Sequence, residues 1–80
     1  METKNAIPLS KVGEGFLVSV VGVDAGRGLR NRLISMGLFT GTQIRIVRND
    51  GSGPFVISVK NSRMALGRGV ADKIMVTLSG

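Results

Sequence analysis

The sequence predicts a mainly β fold, a small five-stranded barrel with one inserted α-helix, on three observations. Apolar residues recur every second position in short stretches near residues 16–23, 43–48, 55–60, 62–66 and 73–78, the period of a strand with one face buried. Turn-forming residues separate these stretches, and twelve glycines in eighty residues suit a sheet that bends and bulges sharply. Only one stretch, about residues 27–36, has helical spacing, which disfavours a parallel sheet built from repeated strand–helix units. Closing such a set of short strands on itself removes exposed edges, and the barrel this predicts is of the SH3-like kind.

Residues 1–6 read as a flexible N-terminus, and residues 7–78 as one domain, because a chain of this length holds a single core. "IPLSKVGEG" is an extended segment and a turn. In the first strand Phe16, Val18 and Val20 share a face while Val23 is out of phase. Gly22 sits where the phase slips, which predicts a bulge or sharp bend. "DAGRG" is a loop in which Asp24 or the glycines start the helix. Leu29, Leu33 and Met36 form the helix's buried stripe, with Ile34 beside it and Arg27, Arg30, Asn31 and Arg32 on the remaining positions. Gly37 suits the left-handed residue that ends a helix, with Leu38 packing back on Leu33 in a Schellman arrangement.

The chain turns at Thr40 and Gly41 and enters a strand with Ile44 and Ile46 inward. "NDGSGP" is a loop. Phe55, Ile57 and Val59 then share one face, followed by a short strand with Met64 and Leu66 together. "GRGVAD" is a tight connection with room for one 3₁₀ turn, and Ile74, Val76 and Leu78 close the chain in phase.

Composition removes most chemistry. The chain has no cysteine and no histidine, and hence no disulfide, thiol nucleophile or imidazole base. Its five acids, Glu2, Glu14, Asp24, Asp50 and Asp72, show no pairing at helical or strand-alternate spacing. No catalytic residue, metal ligand set or cofactor is predicted. The longest apolar run, Phe16 to Val23, is interrupted by Ser19 and Gly22 and is far short of the about twenty residues a membrane helix needs. A cytoplasmic protein is the expectation. The G-x-G pairs read as turn glycines, since Asn31 occupies the third glycine position of a dinucleotide fingerprint.

The remaining signal is a surface. A net charge of +6 favours anionic partners. Single-strand nucleic-acid binders present aromatic stacking platforms, whereas this chain has no Trp, no Tyr and three Phe, two of them in core phase. DNA or RNA binding is therefore not expected, although a nucleic-acid-binding barrel stays open as the rival class. The helix is too short, and its apolar face too committed to the core, to bind membranes by itself. Leu38 and Phe39 at the corner, beside Arg27, Arg30 and Arg32, form an apolar tip with a cationic rim, a composition enriched at protein–protein interfaces. A barrel with an exposed edge is also able to pair with a second copy.

At "GRGLRNRLISMGLFTGTQIRIV" the sequence resembles the FeoA family, ferrous iron transport protein A, small SH3-like domains of bacteria and archaea. Related domains form the C-terminal part of iron- and manganese-dependent repressors. The family pattern runs from a basic helix through "L..MGL.PG" into a strand. Leu33, Met36, Gly37, Leu38 and Gly41 take those places, and Leu29 lies one turn earlier. Thr40 stands where the family usually has proline. The likeness continues through Gly53-Pro54, through Arg63, Ala65 and Leu66, and through Ala71, Ile74 and Val76. It implies a non-enzymatic, cytosolic accessory or regulatory role in Fe²⁺ uptake. It also implies a partner, FeoB, a membrane permease with a cytosolic GTPase domain. A stand-alone transition-metal-responsive module is the further alternative, one to which a chain without His or Cys lends little.

Overall fold

A computed structural model describes residues 5–79. Of the expected flexible start at residues 1–6, residues 1–4 lie outside the described residues. The strands are β1 (Ile7–Pro8), β2 (Leu17–Val23), β3 (Gln43–Arg48), β4 (Phe55–Val59), β5 (Ser62–Leu66) and β6 (Ile74–Leu78). Helix α1 is Arg27–Ser35, α2 is Arg68–Ala71, and a 3₁₀ turn covers Leu9–Lys11. All strand pairs are antiparallel, in the order β1-β6-β2-β3-β4-β5. The mainly β, SH3-like reading therefore holds, with two corrections. The described residues form six strands rather than five, and the last connection forms a short α-helix rather than a 3₁₀ turn.

The sixth strand, β1, pairs Ile7 with Val76 and Pro8 with Met75. Two residues carry no alternation, and a proline in a sheet is confined to an edge, so the segment gives no strand signal. Between the two sheet edges, the 3₁₀ turn packs against α2 and the Ser10 hydroxyl bonds the Asp72 carboxylate. The Asn49 side-chain amide donates to the carbonyls of Ser10 (3.1 Å) and Val12 (2.8 Å), tying that turn to the loop after β3.

Inside lie Val18 and Val20, Leu33, Ile44 and Ile46, Phe55 and Ile57, and Ile74 and Val76, all fully buried, in the phases the alternation predicts. Phase does not guarantee cover, however. Phe16 is 54% exposed, against the expectation of a core residue, and Leu78 is exposed as well. Phe16 precedes the first residue of β2, and Leu78 is the last of β6, paired with Val18. Both lie at strand ends, where fewer neighbours cover the inner face.

The slip at Gly22 is a bulge. Val20 pairs with Val76 and Gly22 with Met75, so Val21 is the extra residue. A second bulge, unsignalled in the sequence, lies between Ile46 and Arg48 in β3.

Helix α1 runs from Arg27 to Ser35, with Gly26 as its N-cap and Met36 as its C-cap. Gly37 has φ +88. Its N–H donates to the Ile34 carbonyl (3.0 Å), and the Leu38 N–H donates to the Leu33 carbonyl (2.8 Å), which is the predicted Schellman pattern. Gly37→Ala is expected to cost roughly 1–2 kcal/mol in left-handed strain. The thermal midpoint should fall by about 4–8 °C per kcal/mol lost in a domain of this size. Thermal melts of the variant check this.

Candidate functional site

The stretch from Gly37 to Thr42 is a corner clamped by a single side chain. Thr42, only 7% exposed, accepts through Oγ1 from the Phe39 N–H (3.2 Å) and donates from the same hydroxyl to the Gly37 carbonyl (3.1 Å). The Thr42 N–H returns to the Phe39 carbonyl (2.9 Å). Gly41, at φ +94, donates to the Val20 carbonyl (2.8 Å), and Val20 N–H donates to the Thr42 carbonyl (2.9 Å). Where β3 stops pairing with β2, this corner takes over the hydrogen bonding. Phe39 has both backbone groups bonded, yet its side chain is 45% exposed. It is an aromatic side chain on a fixed mount.

Thr42 had a local signal, a hydroxyl three residues after a turn's first amide. Thr42→Val keeps the shape and removes the hydroxyl, leaving the Phe39 amide and Gly37 carbonyl unpaired. The expected loss is about 1–3 kcal/mol, read by denaturant unfolding, with faster hydrogen exchange at the Phe39 amide.

Phe39 forms a ridge between two clefts. One, of about 320 Å³, runs from Gly22 and Val23 on β2 past Arg30 and Ile34 on α1 to Leu38 and Thr40. Its wall depends on the β2 bulge, because Arg30 Nη2 crosses to donate to the Val23 carbonyl (3.2 Å). That acceptor is a neutral carbonyl, so no acidic partner accompanies the contact. The other cleft, of about 510 Å³, is lined by Phe39, Thr40, Thr42, Gln43 and Lys60. Lys60 and Asn61 form the two-residue β4–β5 turn with φ 50 and 69, the left-handed pair of a type I′ hairpin. A lysine adopts such a φ at some cost. Here it brings a second cation to the Phe39 ridge, from a position no local pattern connects to residue 39.

The residues predicted to form one binding patch are therefore divided. Phe39 and Arg30 come together. Arg27 lies exposed on the first turn of α1, three residues before Arg30 and seven before Ile34, spacing that puts all three along one side of the helix. Arg32 lies elsewhere, lining a groove with Leu29, Met36 and Ala65. Leu38 is corrected outright: expected at the apolar tip, it is 1% exposed and part of the core, because the helix cap turns it back over Leu33. Of the stripe, Leu33 is buried, Leu29 half-buried, and Met36, expected inside, is 39% exposed. The barrel covers a seam one residue wide, and Met36 sits at its margin.

Among the described residues no acidic side chain lines either cleft. Among the described residues the one side-chain ion pair is Arg48–Asp50 at 3.1 Å, on the loop after β3. There the Ser52 N–H, helped by the Arg48 guanidinium, holds the Asp50 carboxyl below its ordinary value. Among the described residues no three of His, Cys, Asp or Glu come together as metal ligands, and no helix is long and apolar enough to cross a membrane. The site offers a rigid aromatic ridge, two concave flanks and unneutralised cations, an arrangement suited to binding another macromolecule.

Comparison with known proteins adds four findings. A FeoA domain model matches residues 7–78. A Methanocaldococcus jannaschii protein named "Putative Fe(2+) transport protein A" is 48% identical over 69 residues, 86% of this chain and 83% of the relative. A crystal structure of an iron uptake regulatory protein (FeoA) superposes with a TM-score of 0.81 at 36% identity, covering 92% of this chain and 97% of the other. A manganese-dependent transcriptional repressor shares the fold, with a TM-score of 0.84 at 20% identity over 99% of this chain and 45% of the repressor.

Proposed function

The chain belongs to the FeoA domain family, and on that footing we propose that it is a non-enzymatic accessory or regulatory protein of ferrous iron transport that docks on the cytoplasmic part of the FeoB GTPase-permease. The observation that carries this reading is Phe39: a 45%-exposed aromatic side chain whose backbone is clamped by Thr42 and flanked by Arg30 and Lys60. An aromatic whose backbone is already held loses less entropy on binding, and aromatic side chains dominate interface energetics. Fe²⁺ is cargo in this reading. With neither imidazole nor thiol in the chain, its influence on iron runs through the partner protein.

The test is a titration of the full chain against the purified cytosolic domain of the transporter at physiological salt, with an RNA oligonucleotide in a parallel arm. Saturable binding to the domain that weakens as salt rises supports the reading. Binding to RNA alone, with steep salt dependence, would replace it with the nucleic-acid class.

Charge placement gives a kinetic prediction. Reversing Arg27 and Arg30 to glutamate should slow association with the domain and flatten its salt dependence. Stopped-flow measurements at several ionic strengths check this. An unchanged association rate moves the cationic rim elsewhere.

A further inference from the structure

We propose that the outer edge of β5, with the groove it shares with α1, binds an extended acidic segment of a partner protein by accepting it as an added strand. Among the described residues β5 is the last strand of the sheet, hydrogen-bonded only to β4. The two-residue turn at Lys60 and Asn61 fixes which of its backbone groups are free. Val59 and Ser62 flank the turn as a hydrogen-bonded pair, so Ile57–Met64 and Phe55–Leu66 are also hydrogen-bonded pairs. The alternate residues, Arg63 and Ala65, therefore aim their N–H and C=O groups outward. The opposite sheet edge is different: β1 has two residues, one of them Pro8. β5 has neither proline nor bulge to blunt it.

A specificity pocket adjoins this edge. Ala65 and Leu66 of β5, Leu29, Arg32 and Met36 of α1, and Val70 of α2 line a groove of about 120 Å³, room for one aliphatic side chain from an added strand. This is why Met36, in phase with the helix's buried stripe, remains 39% exposed. The groove shares no lining residue with the clefts beside Phe39, so it is a second surface.

Charge selects the occupant. Arg63 lies on β5, Lys60 in the turn before it, and Arg32 lines the groove. Among the described residues no acidic side chain occurs in β5, in α1 or in the groove lining. Pairing β5 with a second copy would set two such cationic clusters along one short ribbon, between chains each carrying +6, and like charges across a strand pair are destabilising. An extended chain with Asp or Glu flanking an aliphatic residue meets the backbone, the groove and the charge together.

The test uses the ¹⁵N-labelled full chain and a synthetic, end-capped octapeptide of sequence Asp-Val-Glu-Val-Asp-Val-Glu-Gly, with the same peptide carrying Lys at every acidic position as control. The acidic peptide is expected to shift the Arg63 and Ala65 amides and slow their hydrogen exchange by about tenfold or more, as new strand hydrogen bonds require. The lysine peptide should do neither. Ala65→Pro removes an outward N–H without breaking a β4–β5 bond and should abolish the response. Arg63→Glu, a surface change, gives a second test independent of backbone tolerance and should also abolish it. An equal response to both peptides, shifts confined to other residues, an unchanged response in Arg63→Glu, or protection of the same amides by self-association of the chain alone would each overturn the proposal.

Discussion

Leu38→Ala is expected to lower the unfolding free energy by about 2–5 kcal/mol, the cost of emptying a buried leucine site. Leu38 is 1% exposed and joins the core through the helix cap that binds its N–H to the Leu33 carbonyl. A domain of eighty residues has roughly 4–12 kcal/mol in total at about 0.05–0.15 kcal/mol per residue, so this one truncation removes a large share. Urea unfolding reads the effect directly, as a drop in midpoint with an unchanged slope. The experiment also separates two roles that are adjacent in sequence. A Leu38→Ala variant that kept its stability and lost only partner binding would place Leu38 on the surface, where the corner's local sequence suggests it.

Phe39→Ala is expected to behave oppositely. With 45% of the side chain already exposed and its backbone held by Thr42, truncation should change stability by about 1 kcal/mol or less. Affinity for the transporter's cytosolic domain should fall by about 2 kcal/mol or more, the hot-spot scale, which is roughly 30-fold or more in Kd. Most of the loss should appear as faster dissociation, since short-range contacts act after encounter. Surface plasmon resonance together with a thermal melt of the same preparation checks both halves.

The contrast between residues 38 and 39 shows what local sequence can and cannot convey. The Gly37 cap, the Gly41 turn and the Gly22 bulge were legible because each is a local backbone requirement with a local residue signature: a left-handed glycine after a helical run, or a phase slip within a strand. The core positions of β2, β3, β4 and β6 were legible because strand phase names the inward face. Phase does not say how far cover extends, and this is why Phe16, Met36 and Leu78, all in phase, are exposed at the margins of the core. β1 was invisible because two residues hold no period.

The candidate site was only partly legible. Arg30 and Phe39 were found from composition at the corner. Lys60 was not, because its place beside Phe39 depends on the β4–β5 hairpin tip reaching the corner after α1, a relation between residues far apart in the chain. The arginines of α1 looked equivalent in sequence. The fold separates them, sending Arg30 across to the Val23 carbonyl and Arg32 to the groove with Met36. Position 40 is threonine, which leaves the backbone there free of a proline ring, and the turn is held by the Thr42 hydroxyl.

Docking of the transporter on the Phe39 ridge and its two flanks, as proposed, has a direct signature in amide chemical-shift mapping of the ¹⁵N-labelled chain on addition of unlabelled cytosolic transporter domain. Shifts are expected to concentrate at Gly22, Val23, Arg30, Ile34, Phe39, Thr40 and Lys60. Binding that left these amides unmoved and perturbed a different face would rule this surface out.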